Sequence, residues 1–124
     1  MTDNLIQKYN FFDDKSLPEG PVSVHQVSSK AGRERFIDLS FRLFRDSPLW
    51  SPPLKRDLRH LLDPLRHPFH EHADVAYFLA VRSGKIVGRI AAIDNYAHRD
   101  FHEESVGFFG FLDAIDDQDV FDAL

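Results

Sequence analysis

Four of the seven histidines of this 124-residue chain lie within residues 60–72. The four histidines of this segment are His60, His67, His70 and His72, and Glu71 separates the last two. Imidazole and carboxylate groups together are good ligands for a divalent metal. The spacing matches no specific metal motif, however, and a solvated polar loop is the alternative interpretation, so we assign no metal site.

A second histidine pair, His98 and His102, has the four-residue spacing that places two side chains on one helix face. Zinc-binding helices with this spacing carry a glutamate directly after the first histidine, whereas this sequence has Arg99. The pair is therefore interpreted either as structural or as part of a wall that contacts a substrate, with a metal-ligand pair as the alternative.

Trp50 lies in a segment with three prolines, 46–53, which predicts a stiff loop between two helices. Its indole is suited either to stacking on an acceptor substrate or to anchoring the loop by packing. A basic face of Lys55, Arg56 and Arg59 follows, which either attracts an anionic ligand or is simply solvated. Further candidates for proton transfer are Tyr77, Tyr96, Glu103 and Glu104. No spacing selects one of them, so no catalytic residue is assigned.

The composition is that of a globular protein, with 43% hydrophobic and 28% charged residues, and twelve of the residues are phenylalanine. Because cysteine is absent, disulfides, thiolate metal sites and cysteine nucleophiles are excluded. The net charge of −5 argues against nucleic-acid binding, and it divides into −2 for residues 1–29, +4 for residues 30–66 and −7 for residues 67–124. There is no signal peptide and no long apolar segment, so we expect a cytoplasmic protein without membrane contact.

Hydrophobic periodicity predicts the elements that position these residues. We expect a polar tail over residues 1–20, followed by one domain over residues 21–124. The predicted elements are a strand at 22–27, helices at 30–45 and 54–65, a hairpin of strands 75–81 and 86–93, a strand at 105–114 and a helix that starts near Asp116. Asp63-Pro64 is expected to end or bend the second helix. This order, β-α-α-β-β-β-α, predicts an α/β protein of the α+β type with a mixed, mostly antiparallel sheet.

The segment Gly84-Lys85-Ile86-Val87-Gly88 resembles the turn-and-strand signature of the Gcn5-related N-acetyltransferase superfamily. Over about residues 22–124 the chain is similar to the N-terminal part of longer, uncharacterised bacterial proteins of this superfamily. That similarity rests on DSPLWSPPL (46–54), HPFHEHA (67–73), GRIAAIDNYAH (88–98) with a second histidine at His102, and VGFFGF (106–111).

The resemblance implies an acyl-CoA N-acyltransferase fold and the transfer of an acetyl or acyl group from coenzyme A to a small-molecule amine acceptor. It implies acetyl-CoA as the cofactor. The implied cofactor contacts are the backbone groups of Phe109, Gly110, Phe111 and Leu112, in the strand that corresponds to the family's central fourth strand. We place Trp50, His98 and His102 in the acceptor-binding region.

Two features depart from the family pattern. Where the family has a glycine-containing pyrophosphate loop, this sequence has Asp113, Asp116, Asp117 and Asp119, whose charges would repel phosphate groups. The chain also ends within its last predicted helix, so the family's fifth strand is missing. We therefore expect the N-terminal portion of an acyltransferase, inactive on its own. The alternative is a non-catalytic module that completes its sheet by self-association or by pairing with a partner.

Overall fold

The computed structural model describes residues 9–13, 15–95 and 107–124, and these residues form five strands and three α-helices around a hydrophobic core. The elements are β1 (Asn10–Phe11), β2 (Val22–Val27), α1 (Lys30–Leu43), α2 (Lys55–Leu62), a short 3-10 helix (Pro68–Glu71), β3 (Ala73–Arg82), β4 (Lys85–Asn95), β5 (Phe108–Ala114) and α3 (Gln118–Ala123). The mixed α+β class is confirmed, and the order predicted from residue 22 onward is the observed order. None of the helices in the described part of the chain has the length and apolar character needed to span a bilayer.

All five strands belong to one mixed sheet. β3 lies between β2 and β4 and is antiparallel to both. The other edge of β4 is shared by two strands, because β1 pairs parallel to its first residues and β5 pairs antiparallel to residues 88–93. Among the described strands, β5 pairs with β4 alone, so its second edge lies at the border of the sheet.

The β3–β4 hairpin turns on Ser83 and Gly84, which both have positive φ, 51° and 74°. The paired residues Arg82 and Lys85 flank them, so the loop has two residues. A two-residue loop with positive φ at both positions is a type I′ turn, whose twist matches that of the flanking strands. Glycine adopts this conformation without steric cost, which accounts for the first glycine of the signature.

α1 begins at a serine cap, because the Ser29 hydroxyl accepts a hydrogen bond from the Gly32 N–H at 2.9 Å. Its apolar face packs on the sheet, as predicted, and buries Phe36 and Ile37 almost completely. The Phe36 ring lies edge-on to Tyr77 of β3, with 5.2 Å between ring centroids. Burial of each large apolar side chain of this kind contributes about 1.5–3 kcal/mol.

α2 ends at Leu62, directly before the Asp63-Pro64 pair that was expected to end or bend the helix. The Pro64 ring restricts the preceding residue to extended conformations, and Asp63 accordingly has φ −83° and ψ 113°. Leu65, which was predicted as part of the apolar face, lies beyond this break and is 93% exposed. Proline chemistry therefore overrides the helical spacing of the leucines at this point.

The segment predicted as a polar tail contributes an additional strand to the sheet. Asn10 and Phe11 pair with Lys85 and Ile86, and the Phe12 N–H donates to the Ile86 carbonyl at 3.2 Å. Phe12 is 7% exposed and belongs to the core. The sequence does not predict this strand because two residues are too few to show a periodicity.

α3 packs on the face of the sheet opposite α1. Its cap is Asp117, whose carboxylate accepts from the Asp119 N–H at 2.9 Å, and Val120 is fully buried. A Cβ atom at Gly88 would lie 3.0 Å from the side chains of both Val120 and Leu124. The second glycine of the signature therefore allows α3 to lie this close to β4.

Candidate functional site

β5 contains a β-bulge at the residues that the resemblance assigns to the cofactor. The pairing passes from Asp113 opposite Arg89 to Gly110 opposite Ala91. Two residues of β5, Phe111 and Leu112, therefore lie opposite the single residue Ile90. Phe111 has φ of 54°, a left-handed conformation that costs a non-glycine residue about 1 kcal/mol or more. A bulge leaves backbone polar groups outside the ladder, where they are able to bond a ligand.

Arg89 of β4 connects this bulge to α1 and is itself only 5% exposed. Its Nη2 and Nε donate to Asp113 Oδ2 at 2.8 and 3.1 Å, and its Nη1 donates to the carbonyl of Phe36 at 2.7 Å. The guanidinium carbon lies 4.9 Å from the ring centroid of Phe36 and 5.3 Å from that of Phe111. Arg89 thereby contacts the bulged residue and the residue that follows the bulge.

The positive charge of Arg89 is compensated locally. Burial lowers the pKa of Arg89, and the hydrogen bond and charge of Asp113 oppose that shift. Because guanidinium groups remain protonated in proteins, the bulge has a permanent cation beside it. Loss of Asp113 would leave this buried charge without a partner.

The outer part of β5 is apolar and accessible. Phe108, Phe109 and Leu112 are 40%, 67% and 38% exposed, whereas the Phe111 ring lies against α1, 5.9 Å from Phe36 between centroids. A cleft of about 560 Å³ adjoins the start of β5 and is lined by parts of β3 and β4 and by Phe108. An apolar strand edge beside a cleft is suited to an extended, partly apolar ligand.

The structure places Trp50 against the end of α1. Its ring centroid lies 5.2 Å from that of Phe41 and 5.7 Å from that of Phe44. Phe36, which contacts the bulge, precedes Phe41 by five residues, or about 7.5 Å along the helix axis. These contacts are those of a packing anchor. His98 and His102, together with Tyr96, Glu103 and Glu104, lie outside the described residues.

The histidine cluster extends from His60 in α2 to His72, directly after the 3-10 helix. The ring centroids of His60 and His67 are 5.2 Å apart, and those of His67 and His70 are 6.5 Å apart. His67 Nδ1 accepts from the Phe69 N–H at 3.1 Å, and His70 Nε2 donates to the Leu61 carbonyl at 2.9 Å. Within the described ranges, no three histidine or acidic side chains are grouped so that they could hold a metal ion.

The predicted basic face of α2 forms ion pairs with α1. Lys55 binds Asp38 at 2.9 Å, and Arg59 binds Glu34 through two hydrogen bonds of 2.6 and 3.2 Å. The side chain of Arg56, by contrast, is 86% exposed. Two of the three cations therefore help to orient the two helices, a role that the sequence did not indicate.

The acidic cluster that follows the bulge is largely paired with two buried arginines. Besides the pair at Asp113, Arg82 donates to Asp117 at 2.6 Å and to Asp119 at 3.4 Å. Its Nε donates to the Gly20 carbonyl at 2.8 Å, and Arg82 is 6% exposed. The hydrogen bond from Arg82 lowers the pKa of Asp117. Three of the four carboxylates expected to repel phosphate therefore belong to ion pairs, which reduces the repulsion.

Arg82 and Arg89 were not predicted as site residues. Each lies in an apolar strand pattern, VAYFLAVR and IVGRIAAI. A cation within such a pattern indicates a buried charge that needs a carboxylate partner, because unpaired burial is costly. The excess of aspartate residues in the C-terminal half offered the carboxylate partners for these two arginines.

Comparison with known proteins gives two curated relatives. The chain is 40% identical over 104 residues to the bacterial ceramide synthase of Caulobacter vibrioides, which is 83% of this chain and 27% of that protein. It is 36% identical over 101 residues to protein YghO of Escherichia coli, 82% of this chain and 26% of that protein. The chain thus spans about a quarter of the length of the curated relatives it matches. No protein-family profile and no solved structure matches it.

Proposed function

We propose that this chain supplies the acyl-CoA-binding part of a Gcn5-related N-acyltransferase, which transfers an acyl group from coenzyme A to an amine. The bulge of β5 is the observation that carries the proposal. It interrupts the ladder at Phe111, in the strand where the resemblance locates the thioester. Backbone N–H groups outside a ladder are able to bind the thioester carbonyl and to stabilise the negative charge that develops on its oxygen.

The chemistry requires little from side chains once the reactants are positioned. The amine nitrogen attacks the thioester carbon, the carbon–sulfur bond breaks, and the proton lost by the amine is balanced by the thiolate that leaves as coenzyme A. Holding the thioester along β5 supplies the orientation for this attack. The exposed apolar surface of Phe109 and Leu112 is suited to the partly apolar pantetheine arm.

The name of the Caulobacter relative supports this class of reaction. A ceramide is an N-acylated amino alcohol, so the synthesis of a ceramide forms an amide from an acyl group and an amine. The identity of 40% extends over most of this chain but over only 27% of that protein. We therefore propose the class of reaction and no particular acceptor.

Titration of the isotopically labelled chain with acetyl-CoA tests the proposal. We expect NMR shift changes centred on residues 109–112, and smaller changes with free coenzyme A, which lacks the thioester. A second experiment uses a chimaera, in which the matching residues of this chain replace the matched segment of the Caulobacter protein. The chimaera should retain synthase activity. The absence of shifts in β5 together with an inactive, folded chimaera would contradict the proposal.

A second candidate function is self-association of two copies through β5. The exposed apolar side chains of Phe108, Phe109, Leu112 and Phe121 favour it, because an apolar strand at the border of a sheet promotes pairing. Light scattering should then give a dimer that Phe109→Lys converts to a monomer. A monomer at high concentration for the unmodified chain counts against this function.

A further inference from the structure

A cleft between α1 and α2 lies apart from the bulge and has no role in the proposed acyl transfer. It has a volume of about 770 Å³ and is open on one side. Ile37 and Leu62 contribute to its apolar lining, and charged side chains from both helices surround it. Its volume is in the range of clefts that hold small molecules, about 300–1,000 Å³.

The cleft is cationic in a chain that is acidic overall. Five lysine and arginine side chains and three carboxylates line it, which gives a net charge of +2, against −5 for the whole chain. Each carboxylate has an arginine partner. The pairs are Glu34–Arg59 at 2.6 Å, Asp63–Arg66 at 3.5 Å and Asp57–Arg56 at 3.9 Å.

Lys30 and Arg33 are the two cations that remain. Neither forms an ion pair within the described residues, and Arg33 donates a hydrogen bond to the Ser28 carbonyl at 2.7 Å. Because they are three residues apart in α1, their side chains lie on one face of the helix.

Lys30 and Arg33 lie at the N-terminal end of α1, where positive charges destabilise a helix. The first turn of α1 has no acidic residue, although negative charges are the ones that stabilise that end of a helix. Two unpaired positive charges in a cleft match a ligand group with two negative charges. A phosphate monoester has that charge and accepts the forked hydrogen bonds of a guanidinium.

We propose that the α1–α2 cleft binds a phosphate-bearing anion through Lys30 and Arg33. The proposal is independent of the acyl transfer proposed above. The phosphate belongs either to a soluble ester or to a lipid headgroup, and the chemistry recognised is the same.

The test uses the full chain with two phosphate-monoester probes, glycerol 3-phosphate in solution and vesicles of phosphatidylcholine with or without phosphatidic acid. The double variant Lys30→Gln, Arg33→Gln removes the two cations. The matched control, Arg42→Gln with Arg45→Gln, removes the same charge with the same spacing from the last turn of α1 and the residues that follow the helix. Circular dichroism establishes that both variants are folded.

We expect glycerol 3-phosphate to shift the amide signals of residues 30–33 and 59–67, and the affinity to fall about tenfold or more in the cleft variant but not in the control. Binding only to vesicles with phosphatidic acid, with the same dependence on Lys30 and Arg33, identifies the lipid source. If neither probe binds, or if both variants weaken binding equally, the proposal is wrong.

Discussion

Arg89 on β4 and Asp113 on β5 form a buried ion pair beside the bulge, with 2.8 Å between Nη2 and Oδ2. The two residues lie directly opposite each other in the ladder, and the pair therefore fixes the register on one side of the extra residue. A shift of β5 by one position would separate them and would turn every side chain of the strand to the other face.

Arg89→Met should lower the free energy of unfolding by about 3–5 kcal/mol, because it leaves Asp113 without its partner in a partly buried position. Urea denaturation measures this loss. The double variant Arg89→Met, Asp113→Leu should lose less than the sum of the two single variants. A single variant within about 0.5 kcal/mol of the unmodified chain would show that the pair contributes little.

Phe111→Gly should be more stable than Phe111→Ala by about 1 kcal/mol, because φ of 54° is free for glycine and strained for alanine. Both variants lose the same ring contact with Phe36, so their difference isolates the backbone. At Phe109, in the same strand, the order should reverse, since glycine in a strand is less stable than alanine by about 0.5–1 kcal/mol. Equal values at both positions would mean that the bulge does not form in solution.

Gly88→Ala should destabilise the fold by about 1–3 kcal/mol, because the new methyl group meets Val120 and Leu124 at 3.0 Å. Hydrogen exchange should show faster opening of α3 than of the hairpin. Gly107→Ala is the control, since no atom lies within 4 Å of a Cβ at that position. Similar losses in both variants would rule out a specific contact with α3.

Tyr77 should make the fold less stable in alkaline solution. Burial raises the pKa of Tyr77 to about 12 from the ordinary value of 10.0. The unfolded chain therefore loses the phenolic proton first, so this contribution to stability is complete below pH 10 and decreases as the pH rises toward 12. Denaturation at about pH 9 and about pH 11 measures the decrease, which Tyr77→Phe should reduce.

The Tyr77→Phe variant has a second, pH-independent effect. It removes the hydrogen bond from the hydroxyl to the Leu62 carbonyl, 3.1 Å long, which contributes about 1 kcal/mol. An unchanged alkaline slope in this variant would mean that other groups determine the pH dependence.

The long, periodic elements were predictable from local sequence, and features that depend on pairing between distant residues were not. α1 and the hairpin follow from apolar spacing and from the Ser83-Gly84 turn. No local feature of the sequence predicts the bulge, because the residue in the left-handed conformation is Phe111 and not its glycine neighbour, Gly110. Only the pairing of Arg89 with Asp113 explains which residue is displaced.

The candidate site was predictable only in part for the same reason. The backbone of residues 109–112 was selected by family resemblance, and that segment does contain the bulge. Trp50 was placed in the acceptor region by the same resemblance, with a packing anchor as the alternative, and its observed contacts are with Phe41 and Phe44. The arginines beside the bulge and α3 were overlooked because an apolar pattern does not show which buried cations have partners.

The contacts of Arg82 join segments of the chain that are synthesised at different times. Its guanidinium binds the Gly20 carbonyl and Asp117, which are 62 and 35 residues away along the chain. Gly20 leaves the ribosome before Arg82, but Asp117 follows it, and until then a cation at this position has no carboxylate to offset its desolvation. The hairpin end is therefore expected to stay hydrated in the nascent protein and to close in one late step, when the C-terminal aspartates arrive.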